Sequence, residues 1–310
     1  MRSSEDISAY RNLQIDSDLP KTRILLMAPL HQLVIGKQTF DLAHRSLLMG
    51  VLNVTPDSFS DGGFFFSHNA AIQQALQLAA DGADIIDIGG ESTRPFAPPL
   101  SLQEELDRVI PVIRTIRREL DTLISIDTYK AAVAQAALEA GANLINDISA
   151  LRFDPDMAPL AAQSGVPVVL MHMQGTPQDM QVDPHYNDLV GDIKTFLAQR
   201  RDFACTQGID PANIILDVGI GFGKTLAHNL ELLQRLDEFR DLDCPLLLGV
   251  SRKAFIGKIL HVPATERDIG GLGAIILGLV RGANIIRTHN AAYAKQAIAV
   301  AEAILHSCPR

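Results

Sequence analysis

The sequence predicts an α/β fold, a single-domain (β/α)8 TIM barrel with a short N-terminal hairpin extension. Three segments nearly repeat: GADIID at 82–87, GANLIN at 141–146 and GANIIR at 282–287. In each one, a glycine suited to a left-handed helix end follows an Ala-rich stretch and precedes a short apolar run. The same order of features predicts eight strands along the chain. Strands that alternate with helices favour a parallel sheet, and eight such units favour closure into a barrel.

The predicted strands are short apolar runs without clean alternation, which is typical of strands buried on both faces. Their ranges are 47–54, 84–88, 123–127, 143–147, 167–172, 213–217, 246–250 and 284–289. Amphipathic helical stretches separate several of them, at 102–120, 130–140, 186–207 and 290–306. We expect the barrel over 45–308, a β-hairpin extension over 23–44 that plugs the barrel floor, and a polar segment over 1–22.

Composition and charge limit the classes to which the protein can belong. Hydrophobic residues make up 47% of the 310 positions and charged residues 20%, a globular balance with ample material for a core. Trp is absent and aromatic residues are 5%, so the core is predicted to consist of aliphatic and alanine side chains. A net charge of −9 argues against a general nucleic-acid partner or an anionic membrane surface.

The N-terminal region and the cysteines predict a cytoplasmic location. Residues 1–20 are polar and acidic, without the pattern of a secretory signal, and the apolar run 24–28 is too short to span a bilayer. The three cysteines, Cys205, Cys244 and Cys308, are scattered and form no CxxC pair. They indicate a reducing compartment and neither a disulfide framework nor a metal cluster.

Polar residues lie at or just past nearly every predicted strand end. They are Asn53, Asp87, Asp127, Asn146, Asp147, His172, Asp217, Arg287 and His289. One such residue is unremarkable, because every strand must surface somewhere, but charged or amide residues at nearly all ends need another explanation. In barrels the carboxyl ends of the strands carry the active site, so we expect the site on this face.

The glycine-rich run 219–225, GIGFGKT, resembles two phosphate-binding patterns and fits neither. A Walker A motif would need glycine where Val218 stands, and a dinucleotide fingerprint would need glycine in place of Lys224. We therefore interpret it as a tight turn after the sixth strand that lets backbone approach a ligand closely. Phe222 could then lie flat against a planar ring.

Long polar loops and cations follow other strands. The runs 49–63 and 89–95 leave the first two strands as Gly-containing loops, which are candidates for lids over a substrate. Ser-Arg-Lys at 251–253 follows the seventh strand, and Arg287 and His289 end the eighth. Phosphate groups commonly bind after strands seven and eight of such barrels, so these cations predict an anion site.

These loops resemble those of the dihydropteroate synthases. The stretches LNVTPDSFSDGG at 52–63 and GGESTRP at 89–95 are similar to the first and second signatures of that family. Further motifs follow in order: SID at 125–127, IND at 145–147, LMHMQG at 170–175, the run 217–224, SRK at 251–253 and RTH at 287–289. The resemblance covers about 45 to 305.

The resemblance implies a cytoplasmic, homodimeric enzyme of folate biosynthesis that uses Mg²⁺. Such an enzyme is a transferase that joins 6-hydroxymethyl-7,8-dihydropterin diphosphate to 4-aminobenzoate, and it yields 7,8-dihydropteroate and diphosphate. Its partners are these small molecules, with no nucleic acid and no membrane, and sulfonamides compete for the aminobenzoate site.

The resemblance also implies roles for individual residues. The pterin-binding residues would be Asp127, Asn146, Met171, Asp217, Phe222, Gly249 and Lys253. The diphosphate-binding residues would be Asn53, Arg287, Thr288 and His289, with Asn53 also on the Mg²⁺. The 4-aminobenzoate-binding residues would be Thr93, Arg94, Ser251, Phe222 and Lys253. Asp127 and Lys253 would be the catalytic residues.

The chemistry of these residue types agrees with the implied reaction. A pterin edge presents donors and acceptors that buried Asp and Asn can match with directional hydrogen bonds. Diphosphate leaves more easily when its growing charge meets Mg²⁺, Arg and His. We expect the carboxylate of Asp127 to stabilise the positive charge that builds on the pterin methylene in a largely dissociative substitution.

Two other functions are compatible with parts of this pattern. A pterin-binding methyltransferase barrel, which passes a methyl group from a folate to a corrinoid protein, could share the Asp and Asn residues. It would not need Ser251, Arg252 and Lys253 together with Arg287 and His289 to hold diphosphate. A barrel that binds pterin without turnover would be expected to lose its loop signatures, and both signatures are intact.

Overall fold

The computed structural model describes residues 32–54, 63–93 and 97–307, with only the backbone of 63–67. Within these ranges eight parallel strands close into a barrel, in the order β3 to β10 with β10 against β3. The strands are β1 Gln32–Ile35, β2 Gln38–Asp41, β3 Leu47–Asn53, β4 Ile85–Gly89, β5 Leu123–Asp127, β6 Leu144–Asp147, β7 Val168–Met171, β8 Ile214–Asp217, β9 Leu246–Gly249 and β10 Ile285–Thr288.

Helices connect successive barrel strands and form the outer layer. They are α1 Gly63–Ala80, α2 Leu102–Glu119, α3 Ala131–Ala140, α4 Met157–Ser164, α5 Leu189–Thr206, α6 Leu226–Gln234, α7 Ala254–Leu260, α8 Asp268–Val280 and α9 Ala291–Leu305. The predicted barrel is confirmed, and the ends of its eight strands differ from the predicted ends by no more than one residue. No helix in the described ranges is both long and apolar enough to cross a lipid bilayer.

An antiparallel hairpin closes the amino-terminal end of the barrel. Strands β1 and β2 pair with each other, and their apolar side chains share one buried cluster with the first inward-facing residues of the barrel strands. That cluster contains Leu33, Ile35, Phe40, Leu42, Leu47, Met49, Ile85, Leu123, Leu144, Val169, Ile215, Leu247 and Ile285. The predicted hairpin and its position on the barrel floor are confirmed for 32–41, and the earlier part of the predicted extension lies outside the described residues.

The repeated glycines end helices as the sequence predicts. Gly141 follows α3 with a φ of 113°, and its N–H donates to the carbonyls of Ala137 and Leu138. Gly82 and Gly282 have φ values of 91° and 103°. This left-handed conformation needs glycine, and it turns the chain directly into the next strand.

Helix α2 shows how an outer helix is fixed to the barrel. It begins with a capping box, in which Ser101 accepts from the backbone N–H of Glu104 and the Glu104 side chain accepts in return from the Ser101 backbone. Its buried face includes Val109, Ile113 and Ile116, which pack in the main core between helices and strands. The capping box therefore fixes where the helix begins, and the buried face fixes its rotation about its own axis. The amino-terminal end of the helix lies beside the carboxyl ends of the strands.

Helix α8 packs against β9 through a glycine that leaves no room for a side chain. A Cβ atom added to Gly278 would lie 2.1 Å from Cδ2 of Leu248, which is 1% exposed. We predict that Gly278→Ala lowers the free energy of unfolding by about 1–3 kcal/mol in urea denaturation, because overpacking forces the helix or the leucine to move. The matched control is Gly273→Ala in the same helix, where the surroundings are open and alanine should stabilise by up to about 1 kcal/mol. Equal effects of the two substitutions would contradict the prediction.

Candidate active site

Above the apolar floor, the inward-facing positions of the barrel become polar. Since side chains alternate along a strand, the residue two positions after each floor residue also faces inward. The positions reached in this way include Asp87, Ser125, Asn146, Asp217 and Arg287, followed by Asp127 one step higher. Five strands thus bring hydrogen-bonding groups to one end of the barrel interior. This is the face on which the sequence predicts the site.

Arg287 occupies the centre of this layer. Its Nε donates to Oδ2 of Asp87 at 2.6 Å, and its Nη2 donates to Oδ2 of Asp127 at 2.8 Å. Nδ2 of Asn146 also donates to Oδ2 of Asp87, at 3.1 Å. One guanidinium therefore connects β4, β5 and β10, and the amide of Asn146 adds β6.

Three buried oxygen atoms of the same layer have no hydrogen-bond partner among the described residues. They are Oδ1 of Asp87, Oδ1 of Asp127 and Oγ of Ser125, which come from β4 and β5. Buried oxygen atoms of this kind favour a ligand that brings N–H donors, since an unsatisfied buried polar group is destabilising. The arrangement suits a flat, donor-rich ring.

Burial dominates the acid–base properties of Asp127. Burial, together with the nearby carboxylates of Asp87, Glu105 and Asp147 and against the opposing charge of Arg287, raises the pKa of that carboxyl to about 7. Arg287 itself stays charged, because its carboxylate neighbours raise its pKa against the effect of burial. The site therefore holds a fixed cation next to a carboxyl group that titrates near neutral pH.

Asp217, Phe222 and Lys253 form the opposite wall. Oδ1 of Asp217 accepts from the N–H of Gly219 at 2.7 Å, and burial raises the pKa of Asp217. Nζ of Lys253 lies 4.0 Å from the centre of the Phe222 ring, a cation–π contact. Burial lowers the pKa of Lys253 to about 8, although the charge of Asp217 opposes that shift. Met171 pairs with Asp217 in the sheet and faces the same interior.

The glycine-rich turn is held against the end of β7 by a buried lysine. Nζ of Lys224 lies 3.0 Å from Nδ1 of His172 and donates to the carbonyl of Phe222 at 2.9 Å. Gly219 has a φ of 68°, and a Cβ there would lie 1.9 Å from the carbonyl oxygen of His172. Only glycine permits this close approach, so the turn places Phe222 by tight backbone packing.

The residues predicted for the diphosphate lie at the ends of β3 and β10. Oγ of Ser251 accepts from the backbone N–H of His289 and lies 3.1 Å from its Nδ1. Burial and the charges of Arg287 and Arg252 lower the pKa of His289 to about 3, so the imidazole is neutral at physiological pH. Asn53 ends β3 in a half-buried position opposite Gly89. Gly249 is paired with Arg287 across β9 and β10.

The side chains of Arg252 and Thr288 have partners of their own within the described residues. Arg252 donates to both carboxylate oxygens of Asp268, at 2.8 and 2.9 Å, so its guanidinium braces the loop after β9. The side chain of Thr288 accepts from the N–H of Asn290 and shares the outer side of β10 with Ile286. Thr288 can contribute to a diphosphate site only through its main chain, because alternation directs its hydroxyl to the helices.

The second loop is described only at its stem. Thr93 is half-buried at the end of the described segment, and Arg94 lies outside the described residues, as does most of the first loop, 55–62. Asp87 is a site residue to which the sequence analysis gave no role, although it is fully buried and bonded to Arg287. The available signal was its spacing of two residues from the inward-facing Ile85.

Comparison with known proteins is consistent with this geometry. The family described as pterin binding enzymes matches residues 49–289. A dihydropteroate synthase of Synechocystis is 48% identical over 273 residues, which cover 88% of this chain and 94% of that protein. The chain belongs to the dihydropteroate synthase family.

Solved structures of the family agree in fold and extent. Yersinia pestis dihydropteroate synthase, in a complex with a sulfonamide drug, has a TM-score of 0.84 and 45% identity, and the match covers 88% of this chain and 99% of that one. The Xanthomonas albilineans dihydropteroate synthase with 4-aminobenzoic acid also has a TM-score of 0.84, at 42% identity, covering 90% and 99%. The resemblance to dihydropteroate synthases predicted from the loop motifs is confirmed.

The His172–Lys224 contact predicts a specific acid sensitivity. Burial and the charge of Lys224 lower the pKa of His172 from 6.5 to about 2, so below about pH 6.5 the unfolded chain binds a proton that the folded chain does not. This contribution makes the free energy of unfolding fall as pH falls, by at most about 1.4 kcal/mol per pH unit. For His172→Gln, which keeps an acceptor for Lys224, we predict that the free energy of unfolding depends less steeply on pH than in the wild type. The difference in slope should be about 1 kcal/mol per pH unit.

The measurement is urea denaturation at a series of pH values between about 6 and 4. His306→Gln changes an exposed histidine at the end of α9 and is the control. It should leave the slope unchanged. Identical slopes for the wild type and His172→Gln would show that His172 does not carry the acid sensitivity.

Proposed function

We propose that the chain joins 6-hydroxymethyl-7,8-dihydropterin diphosphate to 4-aminobenzoate, releasing 7,8-dihydropteroate and diphosphate. The observation that carries this proposal is the inward-facing layer of Asp87, Asp127, Asn146 and Asp217 around the guanidinium of Arg287. It combines buried acceptors for a pterin with a permanent cation for the leaving group. Membership of the dihydropteroate synthase family supports the same reaction, and nothing in the site favours the methyltransferase or the non-catalytic alternative.

The pterin would bind in the barrel mouth between two walls. The free oxygens of Asp87 and Asp127 would accept from its N–H groups on one side, and Asp217 with Lys253 would meet it on the other. We assign Asn146, Met171, Phe222 and Gly249 to the same pocket from the family motifs. Phe222 supports this assignment, since its ring is held in place by the packed glycine turn and by Lys253.

The diphosphate would lie beside Arg287, His289, the main chain of Thr288 and Asn53. Neutral His289 would contribute one hydrogen bond, and Arg287 would contribute the charge. We propose that Asn53 also holds the Mg²⁺ that such a leaving group needs. In the described residues no three His, Cys, Asp or Glu side chains cluster as a metal site. Mg²⁺ commonly binds through one or two carboxylates, several waters and substrate phosphates, so Asn53 would leave most of its coordination sphere to water and the diphosphate. Mg²⁺ would supply charge neutralisation for the departing diphosphate.

The 4-aminobenzoate would bind at the rim of the barrel, next to the second loop. We assign Thr93, Arg94, Ser251, Phe222 and Lys253 to this subsite from the family motifs. The solved relatives that contain 4-aminobenzoic acid and a sulfonamide drug support a site for such molecules. We propose that sulfonamides compete for it here as well.

The chemical step follows from these positions. The bond between the pterin methylene carbon and the diphosphate oxygen breaks, and both electrons leave with the diphosphate. Positive charge on the methylene is stabilised by the carboxylate of Asp127, and the amine nitrogen then forms the new C–N bond and loses a proton. Lys253 stacks on Phe222 and would hold the pterin in line with the amine.

The test is an assay of diphosphate release with the pterin diphosphate and Mg²⁺, in the presence and absence of 4-aminobenzoate. We expect stoichiometric diphosphate and dihydropteroate, both dependent on the amine. Multiple-turnover release without the amine, or no amine-dependent dihydropteroate, would overturn the proposal, whereas release of at most one equivalent per active site without the amine is compatible with a dissociative step.

We also propose a cytoplasmic homodimer. Large exposed apolar side chains concentrate on the consecutive helices α7, α8 and α9, and this pattern supports a buried contact between two copies. They include Ile259, Leu260, Ile269, Leu277, Val280, Tyr293, Val300 and Ile304. Sedimentation should give twice the chain mass of 33.6 kDa, and a single chain mass would contradict the dimer.

Free thiols at Cys205 and Cys244 support a reducing compartment.

The role of Asp127 gives a quantitative prediction. Asp127→Asn removes the carboxylate but keeps the shape of the side chain, so we expect kcat to fall by about 100-fold or more. The affinity for the pterin diphosphate, measured by calorimetry, should change by about tenfold or less, since a single hydrogen bond is altered. The control is Asp121→Asn, an exposed aspartate just before the same strand, which should leave both quantities unchanged. An unchanged turnover in Asp127→Asn would exclude the proposed role.

A further inference from the structure

We infer that Lys130 is a positioning residue for the 4-aminobenzoate subsite, because it ties the stem of the second loop to helix α2. The stem is residues 89–93, and the inference rests on the proposed function of that subsite. Lys130 follows β5 and is not among the residues assigned to either substrate. Its partners are Glu91 in the stem and Glu105 in α2.

The ammonium of Lys130 lies between two carboxylates. Its Nζ donates to Oε2 of Glu91 and to Oε2 of Glu105, and the three side chains are 18%, 8% and 1% exposed. The hydroxyl of Tyr129 donates to the other oxygen of Glu91 at 2.6 Å. Glu91 is therefore held at both oxygens by two consecutive residues of the segment after β5.

A second contact fixes the same stem to α2. Nη1 of Arg108 donates to the carbonyl of Gly90 at 2.9 Å. A Cβ added to Gly90 would lie 2.8 Å from Cγ1 of Val109 and 3.1 Å from Cγ of Glu105. The stem backbone is thus pressed onto the helix, and the Lys130 cluster lies directly beside this contact.

Lys130 carries the positive charge that holds the carboxylates of Glu91 and Glu105 next to each other. Burial disfavours its ammonium, but hydrogen bonds to Glu105 and Glu91 outweigh burial and raise the pKa of Lys130. Without the ammonium, two largely buried carboxylates would face each other, and Oε1 of Glu105 is already without a partner. The stem is the part that can yield, because Glu105 is fixed within a helix.

The position of the cluster links it to the subsite and not only to stability. Glu91 is two residues from Thr93, and Gly89 is paired with Asp127 across β4 and β5. Lys130 therefore joins the end of the strand that carries the proposed pterin ligand to the loop that carries the proposed aminobenzoate ligand. A shift of the stem beyond Gly89 would move Thr93, while Gly89 and Asp127 keep their sheet pairing.

The experiment compares steady-state kinetics and pterin binding in the full-length enzyme. For Lys130→Met we expect the KM for 4-aminobenzoate to rise about 10-fold or more, since hydrogen bonds to charged groups are lost. Neither kcat at saturating amine nor the Kd of the pterin diphosphate should change by more than about twofold. Lys130→Arg, which keeps the charge, should restore most of the KM, and Tyr129→Phe should raise it by only a few fold.

A double variant separates positioning from general destabilisation. In Lys130→Met with Glu105→Gln the repulsion is relieved, and the KM for 4-aminobenzoate should fall back towards the wild-type value. Lys194→Met is the matched control, since Lys194 forms an ion pair with Asp241 on the outer layer of the barrel; its KM should not change.

The outcomes are distinguishable from those of the proposed function. If the wild type shows no amine-dependent turnover, the proposed function fails. If the wild type turns over and Lys130→Met has an unchanged KM for the amine, the inference about Lys130 is wrong. It is also wrong if KM, kcat and pterin Kd deteriorate together and Lys130→Arg rescues none of them, which would indicate a structural role alone.

Discussion

The ion pairs of Arg287 with Asp87 and Asp127 are the interaction on which the rest of the site depends. Two carboxylates from adjacent strands lie inside the barrel, and each would be strongly disfavoured there as an isolated charge. One guanidinium from β10 satisfies an oxygen of each of them. Removal of one partner from a buried ion pair typically lowers the free energy of unfolding by about 3–5 kcal/mol, so each of the three residues depends on the other two. Their remaining free oxygens are the surface offered to a ligand.

This arrangement requires a dry floor beneath it. The antiparallel hairpin fills the amino-terminal end of the barrel with Leu33, Ile35 and Phe40, and the first inward-facing residues of the strands complete the apolar layer. In the described residues this apolar layer separates Asp127 and Asp217 from the amino-terminal end of the barrel. The same burial raises the pKa of both carboxyls and lowers that of Lys253. The closure of the other end of the barrel thus contributes, together with the neighbouring charges, to the acid–base character of the site.

The sequence predicts the strands and the active face well for a physical reason. Parallel strands buried on both faces have nearly uninterrupted apolar sequences, and their carboxyl ends meet on one side of the barrel. The sequence does not predict the direction of a side chain past the strand end, because that direction depends on loop conformation as well as on alternation. Arg252 illustrates this: its φ of 58° turns the guanidinium to Asp268 and away from the barrel mouth.

Contacts between distant segments account for what the sequence could not predict. The pairing of Asp87 with Arg287 joins residues 200 positions apart, and that of Lys130 with Glu105 joins residues 25 positions apart. Neither pairing is visible in a local motif. The sequence places Asp87 and Arg287 at strand ends without showing that they meet, and Lys130 and Glu105 taken alone are typical of an exposed surface. Only closure of the barrel gives Asp87 its neighbour, and only the capped start of α2 brings Glu105 over the end of β5.

Burial acts in opposite directions on acids and bases, and here it brings them to the same pH range. The pKa of Asp127 lies at about 7, that of Lys224 at about 7 and that of Lys253 at about 8. Small changes in the surroundings can therefore move a proton on or off each of these groups, whereas Arg287 keeps its charge throughout. A ligand that brings N–H donors to Asp127 favours its ionised form, because hydrogen bonds to a carboxylate stabilise the charge. Binding of a pterin at this wall would thus generate the carboxylate that the proposed substitution needs at the moment the substrate is in place.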